Sequence, residues 1–243
     1  VAALGHEPVI RKRPRYRKPV TPSPSTPGAV YAREKGSAPG PIWQMPSPEA
    51  EPGLVLRYTF DGDLPFACDR SGSGMHGMIR CARRDTGKTG GGLRLEGKGS
   101  VQLPSGLELL GNRPEAGSIA VWARPAFNPI ELPNGAWEGY KIIFYLMETD
   151  GNGLPDGYDE IGLYAHGPRL YARCAGQQGA LASIPTPLRQ GQWTHLCITW
   201  TGTSRILYVD GKEAAEKTGT YPPPNLDTFP GRLGAHPPQG RWG

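Results

Sequence analysis

The chain has 243 residues with a formal net charge of +5, and its 35 glycines and 27 prolines make the placement of those two residues more telling than their number. No apolar run approaches the ~18 residues of a membrane-spanning helix, the longest being residues 142–147. The charge excess is local: residues 1–50 carry eight Lys or Arg against three Glu, and residues 51–243 carry nineteen of each sign, which excludes an electrostatic footprint for nucleic acid in the later part.

Residues 1–52 read as a disordered, basic, Pro-rich tail or linker. Eleven of the 27 prolines fall there, and the run Thr21-Pro22-Ser23-Pro24-Ser25-Thr26-Pro27 is a stiff extended spacer with too little apolar surface around it to offset the entropy of ordering. The cluster Arg11, Lys12, Arg13, Arg15, Arg17 and Lys18 is either a solvated basic linker or a specific contact to an anionic surface. A start at Val1 suits a fragment or a processed product.

From residue 53 to 243 the texture is that of one all-β domain. Leu54, Leu56, Tyr58 and Phe60 alternate with Val55, Arg57 and Thr59, the pattern of a half-buried strand. Further strands are expected at residues 93–95, 100–103, 118–124, 141–147, 160–165, 169–174, 193–200 and 205–209, separated by Gly, Pro and Asp. In residues 193–200 both faces are largely apolar, which places that strand centrally. Asp210-Gly211 suits a type I′ hairpin turn. The Ala/Glu/Lys cluster at 212–217 is too short for an unsupported helix, and no other segment reads as helical. Two antiparallel sheets sealed by their apolar faces follow from this pattern.

Cys68, Cys81, Cys174 and Cys197 contain no Cys-x-x-Cys pair, which argues against a zinc ribbon or a redox motif. Cys174 and Cys197 could meet across a sheet, and Cys68 and Cys81 flank a Gly-rich loop; buried free thiols are the competing reading.

The segment 148–159 carries the most specific local pattern. Glu148, Asp150, Asn152, Asp156 and Asp159 stand at positions 1, 3, 5, 9 and 12 of a twelve-residue loop, with Gly153 at position 6 and the Leu154 carbonyl at position 7, as in an EF-hand calcium loop. A plain polar turn would use the same residues. Asp61, Asp63 and Asp69 form a second acidic group, read as turn capping or as a structural cation site. The run Arg83-Arg84-Asp85-Thr86-Gly87-Lys88-Thr89 lacks the first glycine of a phosphate-binding loop and the helix that must follow it.

Several strings, taken in order, resemble the laminin-G-like, concanavalin-A-like jelly-roll modules of secreted bacterial proteins. They are Tyr58-Thr59-Phe60-Asp61-Gly62, Asp69-Arg70-Ser71-Gly72 with Gly77, the Gly90 to Gly97 strand, Ser118-Ile119-Ala120-Val121-Trp122-Ala123-Arg124-Pro125, Gly191-Gln192-Trp193-Thr194-His195 and Leu207-Tyr208-Val209-Asp210-Gly211-Lys212. The acidic loop also resembles thrombospondin type 3 calcium repeats. The resemblance implies a two-sheet antiparallel jelly-roll sandwich, secreted or at the cell surface. It also implies a closing strand that the chain does not contain, hence an open sheet edge suited to self-association.

Glycosidases of the related fold carry carboxylates at alternate positions of one strand face, and Asp156-Gly157-Tyr158-Asp159-Glu160 lacks that spacing. The five histidines are scattered, and His195 reads as a packed strand residue. The expectation is a non-catalytic extracellular adhesion module for carbohydrate or protein, stabilised by calcium, with an architectural assembly role as the alternative and a glycoside hydrolase as a distant third. Trp137, Tyr140, Tyr158 and Tyr164 are the candidate stacking aromatics, with core packing the competing role for each.

Overall fold

The computed structural model describes residues 53–111, 114–131, 140–149, 155–175, 180–220, 223–226 and 230–234, with the backbone alone at 97–98, 140, 147–149, 155–159, 175 and 180–183. The expected tail at 1–52 lies outside the described residues. The strands are β1 (Phe66–Ala67), β2 (Gly77–Thr86), β3 (Gly91–Ser105), β4 (Gly117–Ala123), β5 (Tyr140–Thr149), β6 (Pro155–His166), β7 (Arg169–Ala175), β8 (Ala180–Pro185), β9 (Thr194–Trp200), β10 (Ser204–Val209), β11 (Lys212–Thr218) and β12 (Pro230–Leu233). They form an eight-stranded sheet, ordered β1, β2, β3, β12, β5, β6, β7, β8, and a four-stranded sheet, ordered β11, β10, β9, β4. The fold is an all-β, two-sheet sandwich.

Alternation dictates which side chains meet. Val101, Leu103, Phe144, Leu146, Ile161, Leu163, Leu170 and Ala172 from the large sheet pack against Leu196, Ile198, Trp200 and Leu207 from the small one. Strand β9 is interior to its sheet, as expected, but only one face is fully buried: Thr194, Leu196, Ile198 and Trp200 face inward, while His195, Cys197 and Thr199 are half-buried on the other side. Between β10 and β11, Asp210 and Gly211 take φ of 50° and 77°, both left-handed as a type I′ turn demands, and the Asp210 carboxylate accepts the His195 amide at 2.9 Å.

Two expectations are corrected, and of the two readings of the cysteines the free thiols hold. The segment 54–60 is half-buried but is no ladder strand among the described residues, because a loop takes its polar groups. Asp69 pairs with Tyr58 in an isolated bridge and accepts the Arg57 amide, the Ser71 hydroxyl donates to the Val55 carbonyl, and the Tyr58 hydroxyl donates to the Met75 carbonyl at 2.7 Å. One short α-helix, α1 (Gly106–Leu110), does form, nucleated by a capping box in which Ser105 and Glu108 satisfy each other's amides. No disulfide joins the four cysteines. Cys174 faces the core between the sheets, whereas Cys197 stands on the opposite side of β9 from the core residues Leu196 and Ile198, so the two cannot meet. Cys68 is buried, and Cys81 is exposed in a bulge of β2 at φ 48°.

The glycine run at 90–92 serves a hairpin, not a phosphate. The Gly87 amide bonds the Gly90 carbonyl at 2.9 Å to close the turn, and the Gly91 amide bonds the Asp61 carboxylate at 2.6 Å. Arg84 then clamps the preceding loop, donating to the carbonyls of Phe60, Leu64 and Phe66.

Candidate binding site at the open flank

Strand β4 is paired on one side only among the described residues, and beside it lies a cleft of about 2640 Å³. Its floor is apolar, including Ile119, Val121, Phe144 and Leu146, and its mouth is lined by Lys88, Trp122, Arg124, Trp193 and His195.

The mouth is built by register. On β4 the inward residues Ile119 and Val121 join the core, which turns Trp122 outward at 45% exposure. Trp122 pairs with His195 across β9, and the two rings stand 5.0 Å apart. The tip of the β2–β3 hairpin brings Lys88 Nζ over the Trp122 ring at 5.2 Å, and Arg124 lies 4.9 Å over the Trp193 ring. Asp85 of the same hairpin pairs with Arg124 at 3.4 Å. Nearby, Lys141 lies 5.9 Å over Phe127. Cations over aromatic faces hold those faces in fixed orientations. The result is a row of flat, partly exposed rings flanked by hydrogen-bond donors. Sequence reasoning missed Trp122 and Trp193 as site residues. Parity carried the signal for Trp122, because the neighbours that alternate with it are the strand's core residues.

The four stacking candidates fall elsewhere. Trp137 lies outside the described residues, and Tyr140 and Tyr158 lie in β5 and β6 with only their backbone described. Tyr164 is buried and corrects the expectation of a presented ring: it stacks on Tyr171 at 5.3 Å and 10° and packs with Ile142 and Tyr145 on the face of the large sheet turned away from the core. Beside it Glu160, 3% exposed, pairs with Arg173 at 2.7 Å. Burial, reinforced by the Glu160 charge and hydrogen bond, drives the Tyr145 hydroxyl pKa far up, so Tyr145 stays a neutral donor.

For the calcium loop, the structure describes the ends. Thr149 pairs with Pro155 and Met147 with Glu160, so Glu148 stands opposite the β6 stretch that holds Asp156 and Asp159. The topology thus brings both ends of the twelve-residue pattern to one place, with Asp150, Asn152 and Leu154 outside the described residues. Asp61, Asp63 and Asp69 do not converge, and no group of three metal-ligating side chains occurs among the described residues. Asp69 instead organises its loop, accepting from the amides of Arg57, Ser71 and Met75 at 2.9–3.1 Å. Burial alone would raise its pKa, but these hydrogen bonds outweigh it and hold the carboxyl below its ordinary value. No described helix is long and apolar enough to cross a membrane.

Curated protein sequences gave no match. Among solved structures, the binding domain of Paraclostridial Mosquitocidal Protein 1 is similar with a TM-score of 0.55 and 15% identity, over 74% of this chain and 44% of that one. The receptor binding domain of botulinum neurotoxin D gives 0.53 and 9%, over 74% and 44%. Botulinum neurotoxin type C, whose cell entry depends on interaction with two ganglioside molecules, gives 0.53 and 12%, over 78% and 45%. The chain therefore spans less than half the length of each, and at these identities the likeness is one of fold. The laminin-G family model described as concanavalin A-like lectin/glucanases superfamily matches residues 95–243. With more than half of its length under that match and two sheets in the expected sandwich, the chain belongs to the concanavalin A-like lectin/glucanases superfamily.

Proposed function

We propose that this chain is an extracellular, non-catalytic binding module that takes a carbohydrate at the mouth of the cleft. The observation that carries the reading is Trp122, 45% exposed, with the tilted His195 ring 5.0 Å away and Lys88 Nζ 5.2 Å from its ring. A sugar ring lays its C–H face on such a surface with little ordering cost, because the indole is already fixed. Membership of a lectin-containing superfamily and the likeness to toxin binding domains support binding as the role. A glycan array on the wild type and on Trp122→Ala tests it. Reproducible hits lost in the variant are expected, and an array without hits, or hits indifferent to Trp122, Trp193 and Trp137, overturns the reading.

The acidic loop is proposed as a calcium site that stiffens the hairpin, with Glu148, Asp150, Asn152, Asp156 and Asp159 as side-chain ligands and Leu154 through its carbonyl. Calorimetry with calcium on the wild type and on Asp150→Ala is its test, and no heat in either case removes the site. The second functional reading, assembly of an extracellular structure, is favoured by the one-sided pairing of β4 beside the cleft. Concentration-dependent association in analytical ultracentrifugation, without array hits, would put that reading first.

A further inference from the structure

The face of the large sheet turned away from the core carries two arginines that meet no carboxylate among the described residues. Arg80 on β2 is opposite Ser100 on β3, and Gln102 on β3 is opposite Arg232 on β12. Val101 and Leu103 point into the core, so Ser100 and Gln102 point out, and both arginines stand on that outer face with them. Arg232 Nε is buried and has no hydrogen-bond partner. Neither arginine forms an ion pair among the described residues, in contrast to Arg83, Arg94, Arg124 and Arg173, each of which meets a carboxylate. A guanidinium taken partly out of water beside a second positive charge is unfavourable unless an anion completes it. Burial, with the charge of Arg80 added, lowers the Arg232 pKa, the direction expected of a cation without its counter-ion.

The surroundings select the kind of anion. Two residues before Arg80 on the same face, Met78 is 52% exposed, and Phe66 lies opposite it on β1 with its ring 5.3 Å from His76. An apolar shelf therefore adjoins the two guanidinium groups, with the half-buried Gln102 amide between them and Ser100 buried beneath. Strands β3 and β12 are interior to the sheet and their ladder groups are used, so an extended peptide finds no edge to pair with there. A sugar ring with an acidic substituent matches all three features: the anion on the arginines, a hydroxyl on Gln102, and its C–H face on Met78 and Phe66.

The cleft reaches the strands of both residues, and we infer that the outward guanidinium groups of Arg80 and Arg232 form a second binding site, independent of Trp122, for the carboxylate or sulfate group of an acidic oligosaccharide. Its test is titration calorimetry of the full chain with oligogalacturonate and with heparin-derived oligosaccharides, against neutral maltohexaose and poly-Glu, at low and moderate salt. The wild type is expected to bind at least one of the two acidic saccharides, and which one distinguishes carboxylate from sulfate. Arg232→Gln and Arg80→Gln are each expected to weaken that binding by about tenfold or more, with Trp122→Ala leaving it intact. Thermal melting supplies the independent readout: because Arg232 satisfies no partner, Arg232→Gln is expected to melt at or above the wild-type temperature. A markedly lower melting temperature, no binding of either acidic saccharide, or Arg232-dependent binding of poly-Glu as tight as that of the saccharides each overturns the inference. Array hits that depend on Trp122 would then still leave the cleft-mouth reading standing.

Discussion

Gly117 and Trp200 face each other across β4 and β9, and the indole of Trp200 lies so close over the glycine that a side-chain carbon there would overlap ring atom Cζ2. The ring cannot retreat. It is 3% exposed, and its Nε1 donates to the Pro114 carbonyl at 3.1 Å. Gly117→Ala should therefore cost about 1–3 kcal/mol, the usual penalty for overpacking a filled site. Gly202, with open space around the same position, supplies the control: Gly202→Ala should melt with the wild type. Equal melting temperatures for the two variants would contradict the packing described.

The Asp69 loop predicts an acid-sensitive increment of stability. The folded-state pKa of Asp69 lies below its ordinary value, so the carboxylate stabilises the fold above the unfolded pKa and loses that contribution as pH falls through the folded one. Asp69→Ala should be destabilised at pH 7 by about 1–3 kcal/mol, the cost of stranding buried donors. Urea unfolding at pH 7 and near pH 3 checks the sign, since the gap between variant and wild type must narrow in acid.

Glu160 is buried and pairs with the half-buried Arg173, and the pair, not either member, is the unit to test. Removing one partner strands a charge, so Glu160→Met and Arg173→Met should each cost about 3 kcal/mol, less for Arg173 because it reaches solvent. The double variant should recover a good part of that loss. A double-mutant cycle with additive effects would show that the two do not act together.

Thiol accessibility follows from the four cysteine positions. Cys81 should react with a maleimide in the folded chain within minutes, whereas Cys68 and Cys174 should react only on unfolding. Burial pushes the Cys174 thiol up to about 12, which removes the reactive thiolate near neutral pH. Mass spectrometry of the labelled chain, with and without denaturant, reads both classes at once. Rapid labelling of Cys174 in the native state would place it outside the core described above.

Much of the sandwich was legible because alternation is a local signal with a global consequence. Strands β4, β7, β9 and β10 stand within a residue or so of their expected positions, since each pairs an apolar face with a clear boundary. Strand β2 was missed because Arg80, Arg83 and Arg84 break its apolar parity, and β11 because its outward residues, Glu213 and Glu216 among them, resemble a helix fragment. The segment 54–60 failed in the opposite way: its parity is clean, but parity says nothing of whether a partner strand is at hand. Trp122 was hidden for a related reason, since one sequence shows which residues share a face but not which face another hairpin leaves open.

Arg84 grips its loop solely through main-chain oxygens, those of Phe60, Leu64 and Phe66. Recognition of that kind is blind to the exposed side chains of Asp63 and Pro65, whereas Gly62 at φ 73° and the buried Leu64 remain tied to the bend itself. Asp63 and Pro65 thereby offer two positions where surface chemistry can drift while the sheet keeps the shape of the turn.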